Sequence, residues 1–130
     1  MFGKGIYFSD MSSKSANYCY TTASATQGCL LLCEVALGNA QECFKANASR
    51  LNRSKFDSRK GMGATVPDGT TYVTEPDTGA VVPVGRPVKA TGSDGKGEVV
   101  SELLYNEYIV YDPAQVKQRY LVWVDFKYAF

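Results

Sequence analysis

Residues 12–20, SSKSANYCY, bring Lys14, Ser15 and Tyr18 close together along the chain. Ser15 and Tyr18 are three apart, and Lys14 and Tyr18 four apart, so on a helix they are neighbours. A hydroxyl beside a tyrosine ring can hold a flat polar ligand, with the ring stacking and the hydroxyl bonding an amide. Tyr7, in GKGIYFSD just upstream, offers a second ring. The plainer reading is two core tyrosines with satisfied hydroxyls, the more common fate of a buried tyrosine. Glu107, in LLYNEYIVYD, is a lone carboxylate among aromatic and β-branched residues. Buried without a partner it is costly, so it needs a cation, a solvated edge or a function.

Other stretches carry less. GKGIYF and GSDGKGE look glycine-rich enough to grip phosphate, but the first runs into a strand and the second lacks the Ser or Thr after its lysine. The glycines of the first stretch are instead expected to let the backbone lie close to a ligand. Basic residues crowd 45–60 (Lys45, Arg50, Arg53, Lys55, Arg59, Lys60) against one acid, Asp57, and read as a solvated loop. Cysteines stand at 19, 29, 33 and 43 with no CxxC spacing, and the chain has no histidine, so no metal site is expected. Cys29 and Cys33 lie inside the apolar run CLLLCEVAL and read as buried structural thiols. Asn47-Ala-Ser49 and Asn52-Arg-Ser54 match a glycosylation pattern that arises often by chance.

The elements that must position these residues can be read from period and punctuation. Gly5 to Phe8 reads as a short strand. Asp10 is the expected N-cap of a helix of two or three turns over MSSKSANYCY. Residues 21–28 read as a loop, and CLLLCEVALG as a central strand ended by Gly38. KGMGATVPDG and ATGSDGKGE read as turns, with short β segments at TTYVT and AVVPVG between them. Glu102 to Asp112 is expected as one strand, with Leu103, Tyr105, Glu107, Ile109 and Tyr111 on one face. QRYLVWVDFKYAF closes the chain as another. Several strands and one early helix without a βαβ rhythm predict an α+β fold with a mainly antiparallel sheet.

The 130 residues suit one domain of ordinary size. With 45% apolar and 21% charged residues, a packed globular core is expected. A net charge of +1 gives no global pull toward nucleic acid or membranes. No apolar run reaches the length of a membrane span, so no membrane partner is expected.

Four blocks in order, GKGIYFSDMSSKSANYC, EVALGN, KGMGATVPD and LLYNEYIVYD, resemble the catalytic domain of the poly(ADP-ribose) polymerases, in particular its DNA-dependent nuclear branch. The resemblance runs over essentially the whole chain and is looser over residues 64–100. It implies the split antiparallel sheet of the ADP-ribosyltransferase fold, transfer of ADP-ribose from NAD to a protein or a growing polymer, and release of nicotinamide. It implies that Glu107, Tyr7 and Lys14 are catalytic, with Lys14 near the glutamate, that Tyr7 and Tyr18 also stack on nicotinamide, that Ser15 bonds its carboxamide, and that Met1 and Tyr105 lie on the acceptor side. A glutamate at 107 is the family's mark of chain elongation, so polymer formation is implied.

The family's active-site histidine has no counterpart here. In the family it lies upstream, beside a glycine whose backbone also holds nicotinamide, and a helical regulatory subdomain lies upstream too. Residues 1–130 therefore read as the C-terminal portion of a catalytic domain, with weak or no NAD turnover alone and with apolar sheet surface exposed to self-association. The resemblance further implies a nuclear protein, touching DNA only through other domains. Ser9, Tyr20 and Cys33 depart from the family's usual residues without touching the mapped roles. The competing reading is a non-catalytic module of the same fold that binds a partner.

Overall fold

The computed structural model describes residues 1–92 and 95–129. In chain order the elements are β1 (Ile6–Phe8), α1 (Ser12–Ala16), β2 (Gln27–Val35), β3 (Ala40–Cys43), β4 (Ser58–Gly61), β5 (Gly63–Pro67), β6 (Val73–Thr74), β7 (Val81–Val82), β8 (Pro87–Lys89), β9 (Leu103–Tyr105), β10 (Glu107–Val110) and β11 (Val116–Asp125). One sheet has the order β1-β10-β4-β3 and another β8-β5-β9, while β2 and β11 pair as a ribbon and β6 and β7 as a small hairpin. Most pairings are antiparallel; β3–β4 and β5–β9 run parallel. This is the expected α+β architecture, with strands divided among separate sheets and one short helix.

The core gathers where the first sheet meets β9. Phe2, Cys43, Leu103 and Ile109 pack together, with Tyr111 against them. Gly5 serves this core: a Cβ there would stand 2.6 Å from an Ile109 methyl carbon. The glycine lets β1 lie close to β10.

Residues 102–112 do not form one strand. The run breaks at Asn106, so β9 and β10 belong to different sheets. The Asn106 side chain takes over the missing ladder bond, its Oδ1 accepting from the Gly63 amide at 2.9 Å. Gly63 permits the approach, since a Cβ there would lie 2.3 Å from the Tyr105 carbonyl carbon. Strict alternation fails as a result, and Asn106 and Glu107 are both buried although adjacent.

Other expectations also shift. KGMGATVPDG is not a turn but β4 and β5, joined through Met62. The β segments near TTYVT and AVVPVG are present as the short pair β6 and β7. Of the turn expected over 90–98, Ser93 and Asp94 lie outside the described residues, as does Phe130 at the end of the closing run. Strand β2 is not central: among the described residues it pairs only with β11, and Leu31 and Leu32 are 54% and 52% exposed. Cys29 is exposed and Cys33 half-buried for the same reason; Cys43 is the buried thiol, and all four cysteines are free. Burial pushes the Cys43 thiol up, with Arg59 opposing, and likewise raises Cys33.

The basic stretch is a solvated loop only in part. Lys45, Arg50, Arg53 and Lys55 are exposed, but Arg59 is 1% exposed within β4. Its guanidinium donates to Gln41 Oε1 at 3.0 Å, the Asn47 carbonyl at 3.1 Å, the Tyr111 hydroxyl at 3.1 Å, Ser49 Oγ at 3.3 Å and the Phe2 carbonyl at 3.5 Å. The two glycosylation-like triplets are Asx turns, with Asn47 and Asn52 Oδ1 each accepting from the amide and hydroxyl of the serine two residues on.

Candidate active site

A cleft of about 460 Å³ opens where β1, α1 and the start of β10 meet, lined by Tyr7, Phe8, Ser9, Lys14, Ser15, Tyr18 and Glu107. The ladder explains the meeting. Tyr7 sits opposite Ile109 and Phe8 opposite Tyr108, so β1 runs alongside the strand that begins with Glu107. The chain then turns at Ser9, whose Oγ accepts from the Met11 amide and donates to the Met11 carbonyl, both at 3.1 Å. That turn throws α1 across the end of β10.

The helix is shorter than expected. It spans Ser12–Ala16 and continues as a single 3-10 turn, Asn17–Cys19, that carries Tyr18. Its N-cap is Met11, with no side-chain cap bond, and Asp10 does not cap it. Asp10 is drawn inward instead: Oδ2 accepts from Asn106 Nδ2 at 2.9 Å and from the Tyr108 hydroxyl at 2.8 Å. These two partners flank Glu107 in sequence, so Asp10 ties the start of the helix to both sides of the carboxylate. Burial, reinforced by the Asp10 charge, pushes the Tyr108 hydroxyl far above the ordinary tyrosine range. A short polar side chain that can cap a helix can equally accept bonds from across the fold, and only packing decides which.

Lys14 Nζ donates to Glu107 Oε1 at 2.5 Å. Glu107 is 9% exposed, and its Oε2 is buried with no hydrogen-bond partner among the described residues. Glu107 thus lines the cleft with one oxygen on an ammonium and with unmet hydrogen-bonding capacity on the other. The Tyr7 hydroxyl donates to the Gly3 carbonyl at 2.6 Å and accepts from the Phe2 amide at 3.1 Å. Its tip is anchored while the residue stays exposed, and the Tyr18 ring is exposed too. Two accessible rings, a serine hydroxyl and a half-satisfied carboxylate share one cleft. No helix is long and apolar enough to cross a membrane, and no cluster of three or more potential metal-ligating His, Cys, Asp or Glu side chains occurs, both among the described residues.

The profile of the poly(ADP-ribose) polymerase catalytic domain matches residues 1–126. The chain belongs to the poly(ADP-ribose) polymerase catalytic-domain family. Among similar proteins, Poly [ADP-ribose] polymerase 2 of Arabidopsis thaliana is 51% identical over 98% of this chain and 19% of its own length. Poly [ADP-ribose] polymerase 2 of Homo sapiens is 49% identical over 98% of the chain and 21% of its own length. Poly [ADP-ribose] polymerase of Drosophila melanogaster is 47% identical over 100% of the chain and 12% of its own length. The chain thus spans about a fifth or less of these relatives.

Of the residues singled out in sequence, the fold brings Tyr7, Lys14, Ser15, Tyr18 and Glu107 into the cleft of this family member. Met1 and Tyr105 are not part of its lining. Met1 is exposed and its carbonyl accepts from the Asn47 amide at 3.0 Å, while Tyr105 sits at the end of β9 opposite Thr65. Sequence reasoning did not place Phe8 and Ser9 in the cleft, although both follow directly from Tyr7. It also missed the Asp10–Asn106–Tyr108 cluster; an asparagine interrupting an apolar alternation was the available signal.

Proposed function

We propose that this chain forms part of an ADP-ribosyltransferase site that transfers ADP-ribose from NAD to a protein side chain or a growing polymer, releasing nicotinamide. The observation that carries this reading is the buried Glu107, paired to Lys14 through one oxygen and free at the other, in a cleft that also holds Tyr7, Ser15 and Tyr18.

Each residue then has a physical task. Tyr7 and Tyr18 stack on the two faces of the nicotinamide ring, and Ser15 bonds its carboxamide, which fixes the leaving group in a reactive orientation. As the bond from the nicotinamide nitrogen to ribose breaks, its electron pair stays with nicotinamide and positive charge builds on the ribose, as in glycoside cleavage. Glu107 accepts a bond from a ribose hydroxyl and stabilises that charge. When an incoming hydroxyl forms the new bond to the same ribose carbon, Glu107 takes up its proton. Lys14, bonded to one of its oxygens, holds the carboxylate in register for both events. Met1 and Tyr105 contact the acceptor. With no histidine among its 130 residues, the chain alone turns over NAD weakly or not at all. Its setting is nuclear, and any contact with DNA comes from other domains.

The test is Glu107→Gln in a catalytic domain that supplies the histidine. Loss of one preorganised contact of this kind costs about 3–4 kcal/mol, a rate loss of hundreds-fold. Polymer length on a sequencing gel should collapse, and undiminished long polymer would overturn the assignment.

A further inference from the structure

A second concavity of about 230 Å³ lies away from the catalytic residues, with Phe2, Lys4, Ser49, Arg50, Arg53 and Tyr111 on its wall. That is below the usual size of a pocket for a drug-like molecule and suits a small ion or a single charged group. Three of its residues are cations and none is a carboxylate. Lys4, Arg50 and Arg53 take no part in the ion pairs of the described residues.

The charge behind the wall is more telling. Arg59 is buried, and all its hydrogen-bond partners are neutral: one amide oxygen, two backbone carbonyls and two hydroxyls. A guanidinium so buried keeps its full charge in a medium that screens poorly, and lacks the carboxylate that usually offsets it. Three of its partners, Phe2, Ser49 and Tyr111, are the residues that separate it from the pocket. Four positive charges therefore converge on one small concavity in a chain whose net charge is only +1. Focused positive potential in a small recess draws anions, and paired arginine forks suit the geometry of phosphate.

We propose that this pocket is a phosphate-binding site, with Arg50, Arg53 and Lys4 in contact with the anion and Arg59 acting through the wall. The phosphate can be a free anion or the pyrophosphate of an ADP-ribose unit, and only the second source rests on the proposed reaction. The segment that lines the pocket at Phe2 and Lys4 also anchors the Tyr7 hydroxyl, through the Phe2 amide and the Gly3 carbonyl. An anion there sits one short loop from the stacking ring.

The test is an NMR titration of the chain, following the amides of residues 2–4 and 49–53 against inorganic phosphate, pyrophosphate and ADP-ribose, with sodium chloride at matched ionic strength. Saturable shifts at these amides are expected, weakened at least tenfold in R50Q/R53Q and weakened again in Lys4→Gln; both change exposed side chains and should leave the spectrum dispersed. ADP-ribose outcompeting pyrophosphate at these amides assigns the site to a nucleotide chain, and equal binding assigns it to the free anion. Shifts that chloride reproduces, or that survive R50Q/R53Q, overturn the proposal. The transferase reading is tested separately by Glu107→Gln in a catalytic domain that supplies the histidine: undiminished long polymer there would count against that reading and leave the pocket result standing.

Discussion

In the corner where β1, α1 and β10 meet, buried polar groups hold the structure. Asp10 bonds Asn106 and Tyr108, Lys14 bonds Glu107, and Arg59 sits in β4 directly opposite Ile109. The β2–β11 ribbon is the reverse. The nine residues of β2 pair with the ten of β11 around a bulge at Arg119, yet Leu31, Leu32, Leu121 and Trp123 remain exposed, the last at 66%. The corner has short strands and long-range polar ties; the ribbon has a long ladder in which no residue is fully buried. A two-stranded ribbon draws little stability from its ladder alone. The candidate cleft is built where side chains are over-determined, and the ribbon presents apolar surface of the kind that marks an interaction face.

The comparison breaks if the corner tolerates polar deletions as readily as the ribbon tolerates added charge. The largest effect is expected for Arg59→Met, which leaves the Asn47 carbonyl and the Gln41 amide oxygen without their guanidinium donor and removes five hydrogen bonds at once; a loss of about 3–4 kcal/mol in urea denaturation is expected. Asp10→Ala should cost about 2–3 kcal/mol, because the Asn106 amide and Tyr108 hydroxyl lose their acceptor. Asp10→Asn, which keeps an acceptor oxygen, should restore much of that stability.

A pH profile sharpens the same contrast. The Tyr108 pKa is raised in the fold, by burial first and the Asp10 charge second. A raised folded pKa contributes stability that is intact below the unfolded tyrosine value and is lost above it. Stability should therefore fall by about 1.4 kcal/mol per unit above about pH 10 on this account. Tyr108→Phe should remove that component, as read from denaturation midpoints at stepped pH. The smallest change in stability belongs to the ribbon. Leu31→Lys or Leu121→Lys should move the midpoint by no more than about 0.5 kcal/mol, while sedimentation velocity shifts from associated species to monomer. A ribbon variant that unfolds the chain would mean the two regions are not built differently after all.

How far the site could be read in advance depended on how local its geometry is. Ser15 and Tyr18 share a turn and Tyr7 lies on the preceding strand, so spacing alone made them neighbours, and motif resemblance tied them to Glu107. Asp10 was misread because its local option, capping α1, lost to two bonds from residues far along the chain. Arg59 looked like one more charge in a basic run; its burial comes from β4 lying between β10 and β3. The apolar run of β2 reads as a central strand on composition, but a central position requires partners on both edges and cover on both faces, which no window of sequence contains.

The sequence by itself determined the strand-rich α+β class, the early short helix and the family, because these rest on short-range period and ordered motifs. Tertiary structure alone decided that the strand breaks at Asn106, that Asp10 faces inward and that Glu107 is buried against Lys14. Those outcomes are set by desolvation and by partners up to 98 residues apart. A carboxylate's environment is a property of whatever the fold packs around it, and residue type and spacing carry no record of that.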